Sequence, residues 1–88
     1  MEIQQFRYFL AAARYENLTK AAEDLHIAQP ALSQSIKRLE TELGVSLFDR
    51  KNHRIELNEQ GKLLKKRLIP ILESIDNLKD ELWEIGRA

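Results

Sequence analysis

The chain holds 88 residues, enough for one small domain near the lower limit at which a single core is stable. A 43% hydrophobic content with three Gly and two Pro excludes disorder, and the absence of cysteine excludes disulfides and thiolate metal sites. Lys and Arg total 14, as do Asp and Glu, so the net charge is zero and any affinity for nucleic acid must rest on local distribution. The first ten residues, MEIQQFRYFL, have no basic n-region followed by a long apolar run, and no window approaches the roughly 18 apolar residues of a membrane span. The expectation is a cytoplasmic protein without membrane contact.

Ile3, Phe6, Phe9, Leu10 and Ala13 recur at helical spacing and predict a first helix over 3–14 with one core-facing side. Asn17 is placed to cap a second helix over 18–25, because its side-chain oxygen can accept a backbone N–H left open at the helix start. Ala21 and Ala22 let a crossing helix approach closely, and Leu25 and Ile27 bracket the following turn and point inward. Pro30 suits the first turn of a third helix, where its missing N–H costs nothing, while Ala28 ahead of it has no capping side chain. Leu32, Ile36, Leu39 and Leu43 form that helix's buried stripe, and Gly44 marks its end.

The other face of the third helix carries Gln29, Ser33, Gln34 and Lys37, clustered toward its start. Small hydrogen-bonding groups and a cation near a helix N-terminus suit the floor of a DNA major groove. A merely solvated face more often carries mixed charges, as Lys37, Arg38, Glu40 and Glu42 do farther along. Residues 29–54 hold five cations (Lys37, Arg38, Arg50, Lys51, Arg54) against three acids (Glu40, Glu42, Asp49), a net of +2, whereas residues 1–28 are net −1. A neutral total with one basic face predicts modest non-specific affinity and a greater dependence on fit.

Segments 47–50 (LFDR) and 54–57 (RIEL) flank Lys51, Asn52 and His53 and predict a two-stranded hairpin with a basic tip. Asn52 tolerates the positive φ of a tight turn, and Leu47, Phe48, Ile55 and Leu57 face the core. One long helix follows, capped by Asn58, with Glu59 at the positive end of its dipole. Leu64, Leu68, Ile71, Ile75, Leu78, Leu82 and Ile85 follow a heptad seam. From Asn58 to Ile85 the helix is about 42 Å long, too long for the rest of so small a domain to cover, and the economical cover is the same helix of a second copy. Pro70 is expected to kink it at the Lys66 carbonyl and Gly86 to end it. Residues 1–57 and 58–88 thus form two parts. Trp83 lies outside the seam, either on a second dimer-facing stripe with Ile69 and Leu72 or against a further domain.

Ala21-Ala22, Gln29-Pro30-Ala31-Leu32-Ser33, Ile36, Leu39-Glu40, Leu43-Gly44 and Leu47-Phe48-Asp49-Arg50 together resemble the N-terminal domain of LysR-type transcriptional regulators, over essentially the whole chain. The resemblance implies a mostly α winged helix-turn-helix, three helices plus a two-stranded wing, followed by a long linker helix. It implies a homodimer paired antiparallel through that helix, double-stranded operator DNA of two-fold symmetry, and control of bacterial transcription at the nucleoid. A separate C-terminal effector-binding domain of periplasmic-binding-protein type is also implied, and family tetramers would draw on it. Ala28 stands where the family often has Ser or Thr, and Asn58 replaces a common Thr with equivalent capping chemistry. Gln34 lies where many members carry Arg, which shifts the expected base preference from guanine toward adenine.

On this reading Gln29, Pro30, Ala31, Ser33, Gln34 and Lys37 meet the major groove. Thr19 either faces a phosphate or belongs only to its helix start, and Pro30 either starts the helix or also touches a thymine methyl. Arg50, His53 and Arg54 hold the adjoining backbone or minor groove, with the alternative that Arg50 braces the hairpin against Glu40. Arg38 is as well placed to pair with Glu42 one turn on. His26 and His53 have no ligand pattern around them, and no nucleophile–base pair or Gly-rich phosphate loop is present, so neither metal, cofactor nor catalysis is expected. The rival reading is a helical dimerisation module whose winged part binds another protein, supported by the zero net charge. Steep salt dependence of DNA binding separates the two.

Overall fold

The computed structural model describes residues 1–52 and 54–87. In chain order these form α1 (Ile3–Tyr15), α2 (Leu18–Leu25), α3 (Gln29–Leu43), β1 (Phe48–Lys51), β2 (Arg54–Leu57) and α4 (Glu59–Arg87). Capping chemistry sets the boundaries. Glu2 N–H donates to Gln5 Oε1 at 2.7 Å ahead of α1, and Asn17 Oδ1 accepts the Lys20 N–H at 3.0 Å to open α2. Asn58 Oδ1 accepts the Gly61 N–H at 2.8 Å to open α4. α3 starts behind Ala28 without a side-chain cap and with Pro30 in its first turn, as the sequence implies.

Left-handed residues end the first three helices: Glu16 (φ 49°), His26 (φ 58°) and Gly44 (φ 75°). Only Gly44 adopts this conformation without a steric penalty, and its N–H donates back to the carbonyls of Glu40 and Thr41. β1 starts one residue later than expected. The Leu47 N–H is held by the Glu40 carboxylate at 2.7 Å, outside the strand ladder. The strands pair antiparallel, with Phe48 opposite Leu57 and Lys51 opposite Arg54, and Asn52 turns the chain at φ 48°.

Phe9, Leu32, Ile36, Leu39 and Leu47 are fully buried where the three helices and the wing meet. The Phe9 and Phe48 rings lie 5.5 Å apart in a tilted pair, fastening α1 to the hairpin. Ala21 and Ala22 are buried in the same core, and their small side chains keep α2 close to its neighbours.

Two expectations for α4 are corrected. Leu68 is 4% exposed, Leu72 is buried beside it and Ile75 packs partly against the core, so the winged domain does cover the first half of this helix. α1 and β2 supply the missing surface, and Arg7 Nη2 of α1 reaches Asp76 Oδ1 at 3.0 Å. Leu72 therefore belongs to the core rather than to a stripe with Trp83. Gly86 does not end the helix, which continues to Arg87, because no left-handed turn is formed there. The helix runs through Pro70 without a break in its assignment. Beyond Ile75 the described residues of α4 are exposed and the helix projects from the body, giving the molecule its 54 Å long dimension.

Candidate nucleic-acid interface

A helix with 100° between successive side chains places the buried stripe Leu32–Ile36–Leu39 on one side of α3 and leaves a broad exposed arc opposite. Pro30, Gln34 and Lys37 occupy the middle of that arc and are exposed. Gln29 and Ser33 lie at one edge, both half-buried, and Ala31 and Arg38 at the other, both exposed. Ala28 provides no side-chain cap, its carbonyl accepts the Ala31 N–H at 3.0 Å, and Ala28, Pro30 and Ala31 are exposed at this end, where the helix dipole is positive.

The two edges face different neighbours. Gln29 shares a cleft of about 560 Å³ with Thr19 at the start of α2 and with Arg50, Lys51, Asn52 and Arg54 of the wing. Ala31, Gln34 and Arg38 line a separate groove of about 360 Å³ against the start of α1, together with Gln4 and Tyr8. Lys37 lies lower on the helix, beside the turn that leads into β1. The structure thus brings Thr19, Gln29, Arg50 and Arg54 together and spreads the remaining α3 candidates across one continuous exposed face. The expectation placed on His53 lies outside the described residues.

Arg50 does not brace the hairpin against Glu40. The Glu40 carboxylate accepts the Leu47 N–H at 2.7 Å and lies 3.3 Å from Ser46 Oγ, while among the described residues Arg50 meets no carboxylate and points into the cleft. Arg38 makes no close ion pair with Glu42 among the described residues. The Met1 ammonium holds Glu42 Oε2 at 2.9 Å, and this hydrogen bond raises the ammonium pKa and lowers that of the carboxyl, which the Arg38 charge also helps to lower. Both shifts favour the charged pair: its contribution is lost as pH falls through the lowered Glu42 value or rises through the raised Met1 value. Solvent exposure keeps that contribution small.

Lys51, counted among the basic residues of the wing, and Gln4 and Tyr8, not singled out from the sequence, also line these two clefts. Lys51 pairs in register with Arg54, so hairpin register was the signal for it. Gln4 and Tyr8 are one turn apart on the polar side of α1, but only the tertiary crossing of α1 and α3 places them beside Gln34. Among the described residues no three His, Cys, Asp or Glu gather as a metal site, and no helix is long and apolar enough to cross a membrane.

Comparison with known proteins agrees with this geometry. The model of the bacterial regulatory helix-turn-helix proteins of the lysR family matches residues 3–62. The HTH-type transcriptional regulator BudR of Raoultella terrigena is 50% identical over 88 residues, all of this chain and 30% of that protein. The probable cat1 operon transcriptional activator of Acinetobacter lwoffii is 40% identical over 86 residues, 98% of this chain and 28% of that protein. The uncharacterized regulator YybE of Bacillus subtilis is 45% identical over 82 residues, so the chain spans under a third of the length of these relatives. Among solved structures, the BenM DNA-binding domain on catB site 1 DNA superposes with a TM-score of 0.95 at 34% identity, covering 100% of this chain and 98% of that one. The CbnR DNA-binding domain in its DNA complex gives 0.92 at 34% identity, covering 98% and 99%. Helix order, wing, long final helix and family match all agree, and the chain belongs to the lysR family of bacterial regulatory helix-turn-helix proteins.

Proposed function

We propose that this chain is the DNA-binding part of a bacterial transcription regulator and that it grips a two-fold symmetric operator as a homodimer. α3 enters the major groove with Gln29, Pro30, Ala31, Ser33, Gln34 and Lys37 toward the bases and their phosphates. Thr19, Arg50 and Arg54 hold the adjoining backbone. Such a regulator works in the cytoplasm, at the nucleoid. The observation that carries this reading is the uncapped, exposed start of α3 set beside a cleft ringed by Arg50, Lys51 and Arg54. The BenM and CbnR domains that superpose on this chain were solved with DNA bound.

The exposed half of α4 supports dimerisation through Ile71, Leu78, Leu82 and Ile85, with Leu64 and Ile75 at its edge and Leu68 turned inward. Charge along α4 favours an antiparallel partner: Glu59, Lys62, Lys65, Lys66 and Arg67 sum to +3, whereas Glu73, Asp76, Lys79, Asp80, Glu81, Glu84 and Arg87 sum to −3. Two such helices running in opposite directions bring each basic half toward the partner's acidic half.

Gln34→Ala tests the reading mode. Loss of a bidentate base contact is expected to cost about 1–3 kcal/mol at one position per half-site and to relax preference there. Competition among duplex variants measures this, and an equal loss for every sequence would assign Gln34 to positioning alone. For the wing, Arg50→Ala with Arg54→Ala is expected to weaken specific and non-specific binding by similar factors. Each phosphate contact removed should flatten the log–log salt slope by about 0.9. An unchanged slope in titrations at several salt concentrations would remove both residues from the phosphate backbone.

A further inference from the structure

Glu40 gathers the whole turn between α3 and β1. Its carbonyl accepts the N–H groups of Gly44 at 2.9 Å and Val45 at 3.2 Å. Its carboxylate accepts the Leu47 N–H at 2.7 Å and lies 3.3 Å from Ser46 Oγ, a hydroxyl that also reaches the Phe48 carbonyl at 3.0 Å. Among the described residues the carboxylate pairs with no cation. A half-buried carboxylate that meets backbone instead of Lys or Arg is fixing chain geometry rather than balancing charge.

The same turn holds the start of α4. Asn58 Nδ2 donates to the Ser46 carbonyl at 2.8 Å and the Asn58 N–H to the Leu47 carbonyl at 3.1 Å, while Asn58 Oδ1 accepts the Gly61 N–H. Gly61 is packed so tightly that an added Cβ would overlap the Leu47 carbonyl oxygen and come within 2.7 Å of Leu57 Cδ2. Two residues, Ser46 and Leu47, therefore meet α3 through the Ser46 hydroxyl and the Leu47 N–H, and α4 through their carbonyls.

We propose that Glu40 is a positioning residue for operator recognition: by clamping residues 44–47 between α3 and the Asn58–Gly61 cap, it fixes the angle between the DNA-reading helix and the projecting helix. The inference rests on the dimer reading above for its consequence. If α4 joins two copies, the angle it makes with α3 sets how far apart the two α3 helices sit, and hence which half-site spacing the dimer accepts. A flexible joint would leave each copy able to bind a half-site but would blur the spacing. The Leu68–Leu72 contact with the core holds the middle of α4, and the clamp fixes its root.

The absence of cysteine allows the angle to be measured directly. A chain carrying spin labels at Arg38→Cys on α3 and Lys79→Cys on α4 is diluted with excess unlabelled chain, so that electron–electron double resonance reads one distance within one copy whether or not it dimerises. The wild-type background should give a single narrow peak. In Glu40→Ala the population outside that peak is expected to rise about fivefold, the factor carried by one lost hydrogen bond. Glu40→Gln, which keeps a carbonyl oxygen for the Leu47 N–H, should restore the narrow peak. Gly61→Ala should displace the peak, with circular dichroism checking that the chain is folded. A Glu40→Ala distribution identical to wild type overturns the clamp.

The second arm uses duplexes enriched by the wild-type chain from a random pool, rebuilt with the half-site spacing changed one base pair at a time. Glu40→Ala should keep single half-site affinity within about twofold, as for a distant independent site, and lose the spacing preference. Retention of the wild-type preference overturns the link to spacing. A wild-type chain that sediments as a monomer overturns it as well, together with the dimer reading, and leaves the intramolecular distance to decide the clamp.

Discussion

Leu82→Asp is expected to leave the winged domain folded and to abolish self-association. Leu82 is 60% exposed in the single chain, and Ile71, Leu78 and Ile85 are 55%, 53% and 75% exposed along the same seam. The core ends at Leu72 and its partly buried margin at Ile75, so nothing in the folded body depends on Leu82. In a symmetric dimer each copy loses a buried Leu at about 2–5 kcal/mol, so the association constant should fall about a thousandfold or more. The carboxylate, desolvated in an apolar seam, adds to that loss. DNA affinity should fall with it, because a monomer gives up the gain from occupying two half-sites together. Sedimentation equilibrium with circular dichroism measures both halves of the statement. Leu68→Ala is the contrasting variant: Leu68 is buried against its own domain, so its cost should appear in unfolding rather than in association.

Phe9→Ala is expected to produce the largest loss of stability of any single truncation in the core. Phe9 is fully buried, and its ring is the tie between α1 and Phe48 of the wing. Such a deletion costs about 3–5 kcal/mol, a large part of the roughly 5–15 kcal/mol that a domain of this kind possesses. For a chain of this size the melting temperature should drop by about 12 °C or more. Differential scanning calorimetry checks it, and a shift of only a few degrees would mean that the site collapses around the void or that the wing is fastened chiefly by Leu47 and Ile55.

Local chemistry was the legible part of the sequence. Asn17 and Asn58 announce their helices because a side-chain acceptor at that offset has one backbone donor to serve, and both make that bond. Pro30 and Asn52 were legible for the same kind of reason, one lacking an N–H and the other tolerating positive φ. Glu16 and His26 were not, since residue type alone does not mark either as a left-handed cap, and each instead ends its helix through the bond of its N–H to Ala12 or to Ala22 and Glu23. The heptad count alone could not show that Leu68 is buried against its own domain, because a seven-residue period describes one helix, whereas α1, more than fifty positions away, and β2 pack against it. Of the candidate interface, the residue types on α3 were legible and their division between two grooves was not. Whether Arg50 braces the hairpin against Glu40 was undecidable from sequence, because nothing in the residue types shows that the Glu40 carboxylate accepts the Leu47 N–H instead.

The central claim is that the exposed start of α3, in a dimer, reads DNA sequence. Enrichment of duplexes from a random pool by the wild-type chain, followed by salt titration of the winners, tests it most directly. The expected result is a two-fold symmetric pair of half-sites whose affinity falls steeply as salt rises, by about 0.9 in log–log slope for each phosphate contact. Failure to enrich any sequence, with weak binding indifferent to salt, would contradict it and favour a winged domain that docks on protein.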